Sequence, residues 1–352
     1  MFITSKLYGK VNISEVEEYT VTNSNGVSIS AIPFGATLTK IVTPDKNGDM
    51  ADITLNVENL DDFITHRPFY GATIGRVAGR ITKGHYAIGG KEYQLDVNEG
   101  NNLLHGGPDG FDTKLWHIET EIGESEGRLI FTYTSPEGEN NFPGNLWVKV
   151  TYTLTEQNEW IIDYEANTDA PTLFNPTNHV YFNLTGDIKQ PILNHQLYLK
   201  SDFFAPLGEE NLPSGELEKV EGTPFDFTTP KQVKEAVLSD HPQIKPLNGL
   251  DHPFALSPNA GEAQGVLYEP ESGREVTLYT DCNSVVVFTH NGEVDDYTIE
   301  GAPARQYAGI TLETQTLPDA VNQPGFGNII LRPEETFTSQ TTYKFGVRTD
   351  KK

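Results

Sequence analysis

The residues best suited to chemistry are Glu313, in Ile310-Thr-Leu-Glu-Thr-Gln315, and His179, in Asn175-Pro-Thr-Asn-His-Val-Tyr-Phe-Asn-Leu184. Read as a strand, the first segment puts Ile310 and Leu312 on one face and Thr311, Glu313 and Gln315 on the other. A carboxylate centred between two neutral hydrogen-bonding side chains can take a proton from a bound hydroxyl. The second segment divides in the same way, with Thr177, His179, Tyr181 and Asn183 opposite Val180, Phe182 and Leu184. Imidazole has its unperturbed pKa nearest neutrality, which suits a proton donor. Each feature also has a plainer reading, a solvated strand face for Glu313 and a satisfied structural histidine for His179. Two polar faces built alike favour a shared cleft.

Other candidates are less specific. His105 stands in Asn101-Asn-Leu-Leu-His-Gly-Gly107, where two glycines suggest a tight turn or a backbone passing close to a ligand. Arg76 and Arg80 lie in Gly75-Arg-Val-Ala-Gly-Arg80; a guanidinium fork can fix hydroxyls or carboxylates, although most arginines form surface pairs. Asp251, in Leu250-Asp-His-Pro-Phe254, also reads as a turn former. His105, His179, His252, Asp251 and Glu313 show no short His-x-His or His-x-x-x-His spacing, so no metal site is expected. There is no Gly-x-Ser-x-Gly elbow, Walker loop or dinucleotide fingerprint. Glu313 has no acidic partner evident from spacing, which leaves glycoside hydrolysis unsupported.

The elements that must position these groups read as strands. Val148, Val150, Tyr152 and Leu154 alternate with polar residues, and Glu156-Gln-Asn158 turns the chain into a second strand over 160–166. Further strand-like runs fall at 26–32, 128–134, 275–279, 284–289 and 342–347, punctuated by 32 Gly and 22 Pro. Helix signals are confined to 57–63 and 231–238. Length would suit about two domains, but large all-β domains are the exception to that expectation. With no linker, low-complexity tract or repeat, residues 1–352 read as one large antiparallel β-sandwich.

Composition narrows the partners. A net charge of −25, from 50 acidic and 25 basic residues, opposes binding to nucleic acid and anionic membranes. Cys282 is the sole cysteine, so no disulfide framework or thiolate metal cluster can form. Neither a signal-peptide pattern nor a run of about 20 apolar residues is present, and a soluble, cytoplasmic protein is expected.

Five blocks then resemble the aldose 1-epimerase (galactose mutarotase) family, in the family's order. They are Gly75-Arg-Val-Ala-Gly-Arg-Ile81; Asn102-Leu-Leu-His-Gly-Gly107 with Gly110-Phe-Asp112 and Trp116; Asn178-His-Val-Tyr-Phe-Asn-Leu184; Leu250-Asp-His-Pro-Phe254; and Leu312-Glu-Thr-Gln315 with Pro318-Asp-Ala-Val-Asn-Gln-Pro324. The resemblance implies a large twisted antiparallel β-sandwich, the mutarotase-like supersandwich, with few short helices. It implies Glu313 as general base and His179 as general acid. His105 and Arg80 would hold the sugar, and Asp251 would accept bonds from its hydroxyls. Two positions depart from the family. Gly79 stands where many members carry Asn, and Val287 lies near where some place a ligand-contacting Gln.

The implied reaction interconverts the α and β anomers of free aldoses such as glucose and galactose. It removes a proton from the C1 hydroxyl, protonates the ring oxygen, and reverses both steps after rotation about C1–C2. One acid and one base suffice, without redox cofactor or metal. The expected partner is a small sugar, and the protein is expected as a monomer or homodimer. Tyr181, Phe254 and Phe288 are candidates to stack on the sugar, with core packing as the other role. A hexose-phosphate 1-epimerase would need a cationic phosphate site, and no Arg/Lys cluster is evident. A non-catalytic sugar-binding module would be expected to lack Glu313 or His179.

Overall fold

The computed structural model describes residues 1–257, 261–299 and 301–349. Its centre is a nine-stranded antiparallel sheet built on the long strands Glu126–Ser135, Leu146–Thr155, Glu159–Thr168 and Phe337–Val347, which are neighbours in that order. Beyond Phe337–Val347 the sheet continues with Arg274–Thr280, Gly265–Tyr268, Gln196–Leu199 and Lys231–Gln232. A five-stranded meander covers Phe2–Val11 to Met50–Asp52. A second five-stranded sheet runs Glu218–Lys219, Phe203–Phe204, Asp251–Ala255, Ser284–Phe288, Glu313–Gln315.

Alternation explains how the layers close. Val148, Val150, Tyr152 and Leu154 are buried, as are Trp160, Ile162, Tyr164 and Ala166 on the next strand. These pack in one core with Ile29, Ala31 and Leu38 of the meander, with Phe254, Val285 and Val287 of the second sheet, and with Leu312 just before its last strand. The expected hairpin at Glu156–Asn158 is present, and Asn158 takes the left-handed conformation such a turn needs. The strands expected at 26–32, 128–134, 275–279, 284–289 and 342–347 are all there, within a few residues of those limits.

Both helices are shorter than or displaced from expectation. The first is Leu60–His66, because extended Asn59 caps it by accepting a hydrogen bond from the Asp62 amide. Within 231–238, Lys231–Gln232 joins the large sheet and only Val233–Val237 is helical. Among the described residues no helix is long and apolar enough to cross a membrane.

Two interruptions position the chemistry. The segment 310–315 is not one strand: Ile310–Thr311 pairs with Tyr181–Phe182, while Glu313–Gln315 pairs with Ser284–Val286. At the break, the Leu312 carbonyl leaves the ladder and accepts a hydrogen bond from the Tyr343 hydroxyl at 2.6 Å. The segment around His179 is divided likewise. Thr177–Asn178 pairs with Thr73–Ile74, and Tyr181–Phe182 pairs with Ile310–Thr311. Between them, His179 donates its amide to Ala72 O and accepts at its carbonyl from Gly71 N.

Candidate active site

The partner change at Leu312 carries Glu313 into a cleft of about 460 Å³ that His179 also lines. His179 Nε2 lies 3.4 Å from Glu313 Oε1, and both side chains are buried. Glu313 Oε1 accepts from the Thr311 hydroxyl at 3.0 Å, so the preceding polar residue orients the carboxylate. Burial disfavours charge on both groups. It raises Glu313 to about 8, against the Thr311 hydrogen bond and the Arg80 charge, which lower it. It lowers His179 to about 4, opposed by the residue's own backbone and by the Asp112 charge, which raise it.

Arg80, His105 and Asp251 line the same cleft, as expected. Arg80 grips Glu99 through a two-pronged contact, Nε to Oε2 at 2.5 Å and Nη2 to Oε1 at 2.8 Å. Its Nη1 lies 3.7 Å from Asp251 Oδ2. Burial pulls the guanidinium down, but Glu99 and Asp251 outweigh it and hold Arg80 above its ordinary range. Asp251 rises to about 7, chiefly through desolvation, opposed by Arg80 and assisted by Glu313. His105 falls well below its ordinary value through burial and the neighbouring His179 and Arg80 charges. Its Nδ1 accepts from the Gly79 amide at 3.2 Å, which leaves Nε2 of the neutral ring to carry the proton.

The turn at His105 is the tight turn its glycines suggest. His105, Gly106 and Gly107 all have positive φ, and a Cβ on Gly106 would lie 1.8 Å from Gly75 O. The close approach is thus to the Gly75-Arg76 backbone.

Several expectations need correction. Of the four residues expected on His179's face, only His179 and Tyr181 reach the cleft. Thr177 donates to Thr314 O, and Asn183 donates to Gln190 O and Ala308 O, because the strand breaks between Asn178 and Tyr181. Arg76 turns inward, donating to carbonyls of Ser135, Pro136, Pro143 and Gly144 and to two hydroxyls. His252 packs on Phe225, and Phe254 packs on Phe225 and Phe227. Val287 belongs to the core; its neighbours Val286 and Phe288 face the cleft, as alternation requires. Gly79 has φ of 72°, a conformation Asn also tolerates, so its departure from the family pattern removes a side chain without altering the backbone.

Other contributors escaped sequence reading. Phe69 lies edge-on to His105 with centroids 5.0 Å apart and 5.9 Å from His179. Behind it, Arg67 holds the buried Asp112 carboxylate through two hydrogen bonds. Glu99 and Phe69 carry no pattern that marks them. Asp112 was visible only as part of a motif.

His105, His179 and Glu313 each offer a ligand atom, all within 4.8 Å of one another. A metal-binding histidine has its second nitrogen held by a partner. His179 Nδ1 is buried and has none, so this cluster fits proton transfer better than a resident metal.

Known proteins match this chain over nearly its whole length. The family model described as aldose 1-epimerase matches residues 17–344. A galactose mutarotase of Bos taurus is 36% identical over 98% of this chain and 99% of its own length. A maltose epimerase of Levilactobacillus brevis is 34% identical, with 98% and 99% covered. The solved galactose 1-epimerase from Lactobacillus acidophilus superposes with a TM-score of 0.88 at 31% identity, covering 99% of both chains. With the sandwich fold and a match that spans all five candidate residues, the chain belongs to the aldose 1-epimerase family.

Proposed function

We propose that this chain is a cofactor-independent mutarotase for free aldohexoses such as glucose and galactose, with Glu313 as general base and His179 as general acid. The observation that carries this reading is the buried contact between Glu313 and His179 at 3.4 Å inside the cleft. O1 and O5 of a pyranose are both bonded to C1, so the group that takes the O1 proton and the group that protonates O5 must lie side by side. Glu313 removes the hydroxyl proton as the C1–O5 bond breaks, and His179 delivers a proton to O5. Rotation about C1–C2 and the reverse transfers close the ring on either face.

The proton count suits neutral solution. With Glu313 raised to about 8 and His179 lowered to about 4, the pair holds one proton between those values. One shared proton permits the state that begins the reaction, a carboxylate base beside an imidazolium acid. His105, Arg80 and Asp251 position the sugar. Arg80 is the one Lys or Arg among the described residues lining the cleft, and it is engaged by Glu99 and Asp251. That leaves little to balance a phosphate, which favours free sugars over hexose phosphates.

The five site residues span Arg80 to Glu313 in sequence, which supports reading residues 1–352 as a single catalytic domain. The strongly acidic composition fits a soluble cytoplasmic enzyme, monomeric or homodimeric, that acts on a small neutral sugar. Polarimetry on freshly dissolved α-D-glucose, α-D-galactose and maltose tests the function. Faster equilibration than in buffer is expected, and buffer rates with all three sugars would refute it.

A further inference from the structure

The cleft holds one polar side chain that the proton-transfer scheme does not use. Gln315 is 1% exposed and lines the cleft beside Glu313, yet neither its Oε1 nor its Nε2 has a hydrogen-bond partner. Among the described residues it is the one side chain with two separate buried polar atoms, an amide nitrogen and an amide oxygen, left unmatched. Such groups are costly to bury and are normally satisfied. Looseness does not explain it. The Gln315 carbonyl accepts from the Ser284 hydroxyl at 2.7 Å, and the next residue, Thr316, is held at both amide and carbonyl by Asn175.

Gly79 is what leaves the amide open. A Cβ at Gly79 would sit 3.0 Å from Pro318 Cβ and 3.6 Å from Gln315 Nε2. A polar side chain there would be within reach of the amide; this chain has none.

We propose that Gln315, flanked by Gly79 and Pro318, is a substrate-binding residue that reads a neutral hydroxyl, or an adjacent pair of hydroxyls, on the sugar. This rests on the mutarotase reading and assigns a specificity contact within that site. A hydroxyl both donates and accepts, so it can satisfy either end of the amide, and two neighbouring hydroxyls can satisfy both. The terminal torsion of Gln is broad, so the amide can turn to meet the ring. A carboxylate or phosphate only accepts; it would leave Oε1 unmatched and add charge next to Glu313. Selectivity of this kind is strong because a sugar lacking the hydroxyl leaves the amide unpaired again.

The test compares the wild-type protein with Gln315→Met, which keeps length and removes both hydrogen-bonding ends. Mutarotation of glucose and galactose is followed by polarimetry, together with 2-, 3-, 4- and 6-deoxyglucose, and melting is followed by circular dichroism. The substitution is expected to raise KM for the full sugars about tenfold or more, with kcat little changed. One deoxy sugar should be turned over equally by both proteins, which identifies the hydroxyl that is read. The free protein should melt no lower, because an unmatched polar group has been removed. Unchanged KM, an equal penalty on every deoxy sugar, or a clear drop in melting temperature would each overturn the assignment. If the wild-type protein accelerates no aldose, the mutarotase reading fails separately. Calorimetric titration of both proteins with galactose then decides Gln315, since equal affinities reject it and weaker binding by the variant supports it.

Discussion

The Tyr343 hydroxyl donates to the Leu312 carbonyl at 2.6 Å, and at that residue the segment carrying Glu313 changes strand partner. Before the break it lies against Tyr181–Phe182, two residues from His179; after it, against Ser284–Val286. A tyrosine of the large sheet therefore fixes the bend that sets Glu313 beside His179, from behind the cleft and outside its lining. Tyr343→Phe leaves a buried carbonyl unmatched, which costs about 1–3 kcal/mol. We expect kcat to fall several-fold at nearly constant KM, with a lower melting temperature. A variant that is destabilised but retains full kcat would show that Tyr343 does not position Glu313.

Glu313→Gln should reduce mutarotation by about 10²–10⁴-fold, the usual contribution of a positioned proton-transfer group. The same change should stabilise the protein in alkali. The folded carboxyl titrates at about 8 against an ordinary 4.5, so its contribution to stability is full below 4.5 and lost as pH rises towards 8. Melting curves at pH 9 should favour the variant by several degrees, and those at pH 4 should nearly coincide. Equal curves at pH 9 would count against a buried carboxylate.

The pH profile of kcat/KM should be bell-shaped. On the acid side, activity falls as the pair gains a second proton, near the His179 value of about 4. On the basic side, it falls as the pair loses its single proton, near the Glu313 value of about 8. A rate still rising through pH 9 would contradict the shared-proton arrangement.

Glu99 holds Arg80 without lining the cleft. Glu99→Gln weakens a charge-assisted fork, so KM should rise about three- to tenfold while kcat stays within about twofold. Because the Glu99 charge also raises Asp251, the basic shift of any limb belonging to Asp251 should shrink. A loss confined to kcat would place Glu99 in the chemical step instead.

Phe254 and Phe288 should separate core from cleft. Phe254→Ala removes a fully buried ring from the Phe225–Phe227 cluster and should cost about 3–5 kcal/mol of stability. KM should barely change in the protein that remains folded. Phe288 faces the cleft, and Phe288→Ala should raise KM for a smaller loss of stability. The opposite pattern would return Phe254 to the sugar site.

The sequence by itself determined the chemical inventory. Glu313, His179, His105, Arg80 and Asp251 stand in recognisable blocks, and alternation along 146–155 and 159–168 is a local property that survives folding. It could not determine how far each alternating face continues. At His179 the chain leaves one partner for another through bonds to Gly71 and Ala72, and at Leu312 through Tyr343. Those partners lie distant in sequence, so Thr177 and Asn183, expected beside His179, instead hold carbonyls of Thr314, Gln190 and Ala308. Arg76 and Arg80 stand four residues apart in one motif, yet one is buried among carbonyls and the other faces the cleft. Residue type fixes what a group can do. Only tertiary packing, which decides who supplies each hydrogen bond and which charges lose their water, fixed which groups meet and where they titrate.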